Sequence, residues 1–347
     1  MHVAIDATPL TLSSGGLARY TQELTRALGE EFPDDRFTLM SDQPFDWTPS
    51  ENVDVIAGPA TGVAKRWWLA GIPLAMHQTG ASLFHGTNFA VPFIPFAPGV
   101  MTIHDLSPWM NASWHSDASR VRHRTPWMLR LGLAAMVITV SEAVRKQAVD
   151  FFGLHPSRVI AIPLAAARHF TRDDSRPGNY FLFVGTLEPR KNLPVLIEAW
   201  RHVYAITGVE LWLAGRTRVD CPALPELPGL RRLGEVEEKD LPGLYRGTLA
   251  FVYPSLYEGF GLPVLEAMQC GANVITSRDA AIAEVCGDAA LRIDAHDVRG
   301  WTEAMLACAA GHIDLRDAAS KRARLFSWQS TARRTREVYV EARQRER

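Results

Sequence analysis

Short apolar runs alternate with longer helical patterns through the first half of the chain. After the first run, Leu17, Tyr20, Leu24 and Leu28 recur at spacings of three to four, which predicts an amphipathic helix. This alternation is typical of βαβ units around a mostly parallel sheet, so we predict an α/β fold. The predicted strands are residues 2–7, 37–40, 53–57, 83–85, 100–104 and 136–140.

An irregular segment, residues 163–179, separates this half from a second half with the same alternation. The segment carries charges, Pro and Gly without periodicity, which favours an interdomain linker. We expect a Rossmann-like domain at residues 1–168, a second at 179–328, and a final helix at 329–347 that crosses back to the N-terminal domain. The second domain has predicted strands at 180–184, 210–214, 230–233, 249–253 and 274–276, and predicted helices at 193–206 and 263–270.

Length and composition narrow the function classes. The 347 residues suffice for two domains that each bury a core. A formal net charge of −1 argues against a nucleic-acid-binding protein, because such domains usually carry a basic face. The four cysteines form neither a C-x-x-C pair nor a zinc pattern, so we expect a reducing, cytoplasmic setting. We expect no signal peptide and no membrane-spanning helix.

The most informative motif follows the predicted strand 249–253, where Glu258 precedes Gly-Phe-Gly-Leu-Pro. Glycines there let the backbone approach a ligand closely, and the free amides of a helix start attract an anion. Glu266 lies eight positions after Glu258, so both carboxylates can point into one cleft at different depths. The structural alternative is a tight turn in which Glu258 caps the helix and Glu266 is exposed.

A second motif, Gly-Thr-Leu-Glu-Pro-Arg-Lys-Asn, follows the predicted strand 180–184. It places two adjacent cations, Arg190 and Lys191, in the loop before a helix. A guanidinium fork and an ammonium point charge are what a pyrophosphate requires at such a position. The alternative is a pair of ordinary surface cations near a helix start, which the helix dipole mildly disfavours.

Weaker signals lie in the N-terminal half. The Ser13-Ser14-Gly15-Gly16 loop with Arg19 fits a phosphate cradle or a plain turn, and it matches neither the dinucleotide nor the P-loop pattern. His85 and His104 close apolar strands; a histidine there is more often structural, and Asp105 makes His104 the better candidate for ligand contact. We find no metal-ligand spacing and no Asp-x-Asp, so we predict no metal site.

Basic residues are mixed with tryptophan in two segments of the N-terminal half. Such a mixture suits a membrane interface, and it equally suits a half-buried helix, which we favour. The residues are Lys65, Arg66, Trp67, Trp68, Arg120, Arg122, His123, Arg124 and Trp127.

Taken together, these motifs resemble the GT-B retaining glycosyltransferases of family 4. The resemblance rests on Glu258 and Glu266 around Gly-Phe-Gly-Leu-Pro, on the cation motif, on the Gly15-Gly16 loop and on Ile-His-Asp-Leu around His104. Val140-Ser-Glu-Ala and Leu241-Pro-Gly-Leu-Tyr extend it over essentially the whole chain. It implies the GT-B fold, in which two Rossmann-like domains with parallel sheets face a central cleft.

The resemblance implies a role for each charged candidate. Glu266 would hydrogen-bond the donor ribose, and Glu258 would hold the donor sugar. Arg190 and Lys191 would neutralise the leaving nucleoside diphosphate, which is the electrostatic contribution expected to dominate. His104 would lie near the transferred sugar.

Smaller residues would complete the donor site in such an enzyme. The amides around residues 259–262 would contact the donor sugar and its phosphates, Gly16 would approach the diphosphate or the acceptor, and the base would lie near residues 233–236. Thr186 stands where many relatives carry a strand-end Arg, so we expect Arg190 to supply the guanidinium charge at the phosphates. The expected donor-binding residues are Gly16, Thr186, Gly234, Val236, Gly259, Phe260, Gly261, Leu262 and Glu266.

We therefore predict a cytoplasmic, metal-independent, retaining hexosyltransferase that needs no cofactor beyond its GDP- or UDP-linked sugar donor. The cation motif is similar to bacterial mannosyltransferases of polysaccharide synthesis, so GDP-mannose is the first expected donor. The acceptor would be a hydroxyl of a glycan or lipid-linked glycan, with peripheral contact to the inner membrane face through the N-terminal domain. The alternatives are a UDP-sugar epimerase of GT-B-like fold and a non-catalytic nucleotide-sugar-binding protein.

Overall fold

The structure is a computed structural model that describes residues 1–11, 15–47, 50–114, 118–173 and 178–345. Within it the chain forms two compact units, unit 1 (Met1–Leu164 with Ser327–Arg347) and unit 2 (Ala165–Phe326). Each unit contains one sheet of parallel strands with helices, which confirms the predicted α/β class. Three predicted features lie partly outside the described residues: Ser13 and Ser14 of the first loop, residues 174–177 of the linker, and residues 346–347 of the last helix.

Unit 1 is built on a seven-stranded sheet in the order β3-β2-β1-β4-β5-β6-β7, with every neighbouring pair parallel. The residues of its inner strands are almost all buried, as expected where helices cover both faces of a sheet. The strands are β1 His2–Asp6, β2 Arg36–Ser41, β3 Val53–Ala57, β4 Phe84–Gly86, β5 Gly99–Ile103, β6 Met136–Thr139 and β7 Val159–Ala161.

The helices of unit 1 include the C-terminal helix, which packs along the first helix and against β5 and β6. Short 3₁₀ turns span Thr8–Thr11, Gly62–Lys65, Ala112–Trp114 and Pro156–Arg158, and a π turn spans Trp67–Gly71. The helices are α1 Gly16–Glu31, α2 Ile72–Thr79, α3 Ser107–Met110, α4 Ser119–Arg130, α5 Glu142–Phe152 and α12 Trp328–Arg345.

Unit 2 repeats the plan with a six-stranded sheet in the order β10-β9-β8-β11-β12-β13. Its strands are β8 Tyr180–Val184, β9 Glu210–Ala214, β10 Leu230–Gly234, β11 Ala250–Tyr253, β12 Val274–Ser277 and β13 Leu291–Ile293. Its helices are α6 Leu193–Thr207, α7 Leu241–Gly247, α8 Leu262–Gln269, α9 Ala280–Cys286, α10 Val298–Ala309 and α11 Arg316–Ala323, and a 3₁₀ turn spans Pro189–Lys191.

The strand order places a ligand crevice in each unit. In unit 1 the order reverses at the β1/β4 pair, and in unit 2 it reverses at the β8/β11 pair. In open parallel sheets, ligands bind beyond the carboxyl ends of the strands at such a reversal. The residues that follow β1, β4, β8 and β11 are therefore positioned to line a ligand site.

The segment between the two sheets is irregular but packed. Residues 164–167 and Phe170 are almost fully buried. Gln269 of α8 donates its side-chain amide to the carbonyls of Ala167 at 3.2 Å and Phe170 at 2.7 Å. Because these contacts hold the segment on unit 2, the units divide after Leu164 and after Phe326, whereas the predicted domains end at residues 168 and 328.

Candidate active site

Two buried charges of opposite sign meet beyond the carboxyl ends of β8 and β11. Lys191 donates its Nζ to Glu258 Oε1 at 2.5 Å and to the hydroxyl of Tyr253 at 2.6 Å. Arg190 Nη1 lies 3.0 Å from Glu258 Oε2. Lys191 and Glu258 are only 5% and 8% exposed, so neither the surface-cation alternative nor a solvated Glu258 describes this site.

The local backbone explains why these side chains converge. Asn192 takes the left-handed conformation, with φ at 55°, which Asn tolerates better than most residues. Its side-chain amide donates to the carbonyls of Pro254 and Ala295, at 3.3 and 2.6 Å. The Leu256 amide donates to the Arg190 carbonyl at 2.9 Å. The loops that follow β8 and β11 are thus held together by hydrogen bonds that do not involve the charged side chains.

A second layer of charge surrounds the first. Glu188 accepts hydrogen bonds from Arg190 Nη2 at 2.7 Å and from Arg218 Nη1 at 2.6 Å. Arg218, which lies in the loop after β9, also forms a bidentate pair with Asp220. Sequence reasoning missed Glu188 and Arg218, although Glu188 is part of the cation motif. The only sequence signal for Arg218 is its position just after a strand of the same sheet.

Burial and neighbouring charges shift the pKa values of this group in opposite directions. Burial raises the pKa of Glu258, but Arg190 and Lys191 outweigh it and bring that pKa down to about 2. Burial and the neighbouring Arg190 lower the pKa of Lys191, while Glu258 and Glu188 oppose them. Asp279 differs, because burial raises its pKa to about 6. Its carboxylate accepts from the amides of Ile282 and Glu258 at 3.0 and 3.2 Å.

Glu266 has its own buried environment. It is the fifth residue of α8, is 1% exposed, and its Oε2 accepts from the Tyr245 hydroxyl at 2.9 Å. The residue at the helix cap is Gly261, with φ at 98° and no side-chain cap bond. The alternative in which Glu258 caps α8 and Glu266 is exposed is therefore wrong.

The remaining candidates of unit 2 lie in three places: at the start of α8, after β8 and at the end of β10. Gly259, Phe260 and Leu262 are buried around Gly261 at the start of α8, and Phe260 packs against Phe326. Thr186 is half-buried just after β8. Gly234 is exposed at the end of β10, and Val236 is half-buried two residues later. Since β9 separates β10 from β8, these two residues lie apart from the charged cluster.

In unit 1, His104 follows β5 and is held in one tautomer. Its Nε2 lies 2.7 Å from the Thr87 carbonyl oxygen, which can only accept, so Nε2 carries the hydrogen and Nδ1 carries the lone pair. Burial lowers the pKa of His104, so the ring is neutral near pH 7. The Tyr20 ring meets it edge-on at 4.8 Å. The Asp105 carboxylate accepts from the amide and hydroxyl of Ser107.

The other N-terminal candidates divide between core and surface. His85 is fully buried between the Tyr339 hydroxyl at 2.7 Å and Thr102 Oγ1 at 2.8 Å, and burial lowers its pKa to about 3, which fits a structural histidine. Gly16 is exposed as the first residue of α1. In the tryptophan segments Trp67 is buried, whereas Trp127 is 55% exposed.

The described ranges of the chain also bear on the predicted lack of a metal site and of a membrane-spanning helix. In these ranges no three or more His, Cys, Asp or Glu side chains are grouped so that they could hold a metal ion. The four cysteines have free thiols. None of the described helices is both long and apolar enough to cross a lipid bilayer.

Comparison with known families gives two matches that together span most of the chain. Residues 14–166 match the family model described as Glycosyltransferase Family 4. Residues 178–310 match the model described as Glycosyl transferases group 1. The chain is also 32% identical over 283 residues to the O-antigen chain mannosyltransferase B of Escherichia coli, and this match covers 74% of each chain.

Solved structures show the same architecture. A sucrose-phosphate synthase from Thermosynechococcus elongatus superposes with a TM-score of 0.72 at 19% identity over 98% of both chains. The Anabaena HepE protein, solved in complex with UDP-glucose, superposes with a TM-score of 0.67 at 16% identity, over 98% of this chain and 100% of that one. At such low identity these likenesses concern the fold alone.

Proposed function

Because the chain belongs to the glycosyltransferases, with a family 4 region and a group 1 region in one GT-B fold, we propose that it is a retaining, metal-independent hexosyltransferase. The proposed reaction moves a sugar from a nucleotide donor to a hydroxyl acceptor in glycan, polysaccharide or glycolipid assembly. Its similarity to the O-antigen mannosyltransferase of Escherichia coli supports mannose as the sugar and GDP-mannose as the first donor to test. A UDP-linked donor is the next candidate.

The observation that carries the proposal is the buried Lys191–Glu258–Arg190 cluster at the strand-order reversal of unit 2. In our proposal the donor diphosphate binds Arg190 and Lys191, and the amides around Gly261 complete its site. The cations then neutralise the charge that develops as the nucleoside diphosphate leaves, so no metal ion is needed for this task.

Other residues of unit 2 receive roles in the same proposal. Glu258 accepts hydrogen bonds from hydroxyls of the donor sugar when the diphosphate engages Arg190 and Lys191. Glu266, fixed by Tyr245, binds the ribose, while Gly234 and Val236 flank the base on the outer part of the sheet. Thr186 takes the place of a strand-end Arg and contacts the phosphates through its small side chain and backbone.

The proposed retention of configuration is supported by the state of Glu258. A carboxylate whose pKa is near 2 and that is paired with Lys191 and Arg190 is a weak base and a poor nucleophile. We propose that the acceptor hydroxyl attacks from the face that the phosphate leaves, and that the departing phosphate oxygen takes the hydroxyl proton. His104 contributes a lone pair at Nδ1 that accepts a hydrogen bond from a sugar hydroxyl.

We further propose that unit 1 binds the glycan or lipid-linked acceptor and contacts the inner face of the cytoplasmic membrane. Among its described residues, six large apolar side chains are more than half exposed: Val63, Phe96, Met110, Trp127, Leu131 and Phe151. Arg120 and Arg130 are exposed on α4 beside Trp127, which suits an anionic lipid surface. Flotation with anionic vesicles tests this contact, and equal recovery with purely zwitterionic vesicles contradicts it.

The proposed reaction is tested by nucleotide binding and by product analysis. Calorimetric titration with GDP, UDP, ADP and TDP identifies the donor base, and we expect GDP to bind most tightly. NMR of the product from GDP-α-mannose should show an α-linked mannosyl group with activity unchanged by EDTA. A β-linked product contradicts retention, and loss of activity that Mg²⁺ or Mn²⁺ restores contradicts metal independence.

A further inference from the structure

A second polar site lies in unit 1, where its strand order reverses. Asp6 is the last residue of β1, Asn88 follows β4, and His104 follows β5. Thr87 connects them, since its hydroxyl donates to the Asp6 carbonyl at 2.8 Å and its own carbonyl accepts from His104. The three central strands of the sheet thus deliver a carboxylate, an amide and an imidazole to one edge.

Among the described residues, Asp6 and Arg124 have no direct partner of opposite charge. Asp6 is 1% exposed, and Thr8 donates both its amide and its hydroxyl to Oδ1, at 3.1 and 2.6 Å. The Arg124 guanidinium, from α4, lies over the Trp68 ring at 5.0 Å. Each charge influences the pKa of the other, but the described residues include no ion pair within 4 Å between them.

Two buried polar atoms at this site lack hydrogen-bond partners among the described residues. They are Asn88 Oδ1, which can only accept, and Arg124 Nε, which can only donate. Leaving such atoms unpaired costs free energy, so their presence points to a group that arrives from outside. The adjacent Phe89 has φ at 58°, a strained backbone of the kind found at ligand sites.

The combination of charges selects the chemistry of that group. A hydroxyl both donates and accepts, so it can bridge a carboxylate and a guanidinium, and a neighbouring hydroxyl can donate to Asn88. A phosphate could pair with Arg124, but its negative charge would lie next to Asp6. Asp42 already disfavours the charged form of Asp6. An uncharged polyhydroxyl ring therefore fits these residues better than an anion.

We propose that Asp6, Asn88 and Arg124 form the subsite that binds an uncharged sugar ring of the acceptor. This inference rests on the proposed glycosyltransferase function and deepens it by naming the acceptor class and three residues that select it. His104, which shares Thr87 with Asp6, would lie next to the ring that carries the attacking hydroxyl.

The test compares two acceptors, methyl α-mannoside and mannose 6-phosphate, at saturating GDP-mannose. We expect the wild type to use the uncharged acceptor with the lower KM. Asn88→Ala, Asp6→Asn and Arg124→Gln should each raise the KM for methyl α-mannoside about tenfold or more, as expected for one lost hydrogen bond to a buried or charged group. The donor KM and the rate of donor hydrolysis should not change.

Asp54→Asn is the matched control, because Asp54 is exposed at the sheet edge and pairs with the exposed side chain of Arg36. Ligand-observed NMR with mannotriose measures acceptor binding without turnover, and Asn88→Ala keeps the test valid if a charge variant fails to fold. The inference is overturned if acceptor KM and mannotriose binding are unchanged in all folded variants, or if the wild type prefers mannose 6-phosphate. Failure of the wild type to bind any nucleotide sugar would instead overturn the proposed function.

Discussion

The two strand-order reversals of this chain carry opposite kinds of polar site. In unit 2 the charges are matched, since Lys191, Arg190 and Arg218 are each paired with a carboxylate. At the unit 1 reversal the charges of Asp6 and Arg124 are separated, and Asn88 Oδ1 and Arg124 Nε lack hydrogen-bond partners among the described residues. A matched cluster is pre-organised and can exchange a carboxylate partner for a phosphate, whereas a separated pair needs its ligand to be satisfied.

The largest expected effect comes from removing one charge of the matched cluster. Lys191→Ala leaves Glu258 buried beside Arg190 alone, so we expect a stability loss of about 3 to 5 kcal/mol and a drop in kcat on the order of 100-fold or more. Urea unfolding and steady-state kinetics measure the two effects. The paired variant Lys191→Met with Glu258→Gln should recover most of the stability and none of the activity. Recovered activity in it would show that the charges serve only the fold.

The next effect concerns the separated charges, and it depends on pH. Burial raises the pKa of Asp6 from 3.8 to about 6, against the opposing influence of the Thr8 hydrogen bonds and Arg124. Between these values the folded protein keeps a proton that the unfolded chain has lost, so this stabilisation is lost as pH rises through 6. Asp6→Asn should therefore be more stable than the wild type above pH 6, by roughly 2 to 3 kcal/mol. If the wild type and Asp6→Asn have equal free energies of unfolding at pH 8 as well as at pH 5, burial of the Asp6 charge is contradicted.

A smaller effect is expected where a hydroxyl positions a carboxylate. Tyr245→Phe removes the hydrogen bond to Glu266, which costs about 1 to 2 kcal/mol and leaves the carboxylate buried without this donor. If Glu266 binds the ribose, the donor KM should rise about tenfold while the acceptor KM stays constant. A change in acceptor KM alone would place Glu266 outside the donor site.

The smallest effect is expected at an exposed ion pair. Arg36 on β2 and Asp54 on the edge strand β3 are about half exposed and approach to 2.6 Å. Pairs of this kind contribute about 0 to 1 kcal/mol. Asp54→Asn should change the free energy of unfolding by no more than that, and chemical denaturation measures it. A loss as large as that of Lys191→Ala would mean that burial does not decide which charges matter.

Much of the fold follows from local pattern. Residues 180–184 and 210–214 are apolar runs bounded by Gly or Asn, and they coincide with β8 and β9. The pattern failed for β7 and β13, which have three residues each, although it indicates β4, which is equally short, at residues 83–85. It also failed for α11, whose buried face consists of Ala319, Ser320 and Ala323 and has no large apolar residue. In such elements tertiary packing, not local pattern, determines the structure.

The site was less accessible to sequence reasoning. The motifs drew attention to Lys191 and Glu258, but their direct contact joins residues 67 positions apart. Sequence spacing also did not show that Arg218, from the loop after the neighbouring strand β9, completes the charge balance through Glu188. The pattern places Asp6 in a strand, because it ends an apolar run. Its proximity to the residues after β4 and β5 follows from the order of strands in the sheet, which the pattern does not show.

The most direct test of the central claim is turnover of GDP-mannose with a mannoside acceptor by the wild type and by the double variant Arg190→Ala with Lys191→Ala. Both proteins must first be shown to fold, by circular dichroism. We predict transfer by the wild type, and loss of nearly all transfer together with weaker GDP binding in the variant. Full activity of a folded double variant would contradict the assignment of these cations to the leaving diphosphate.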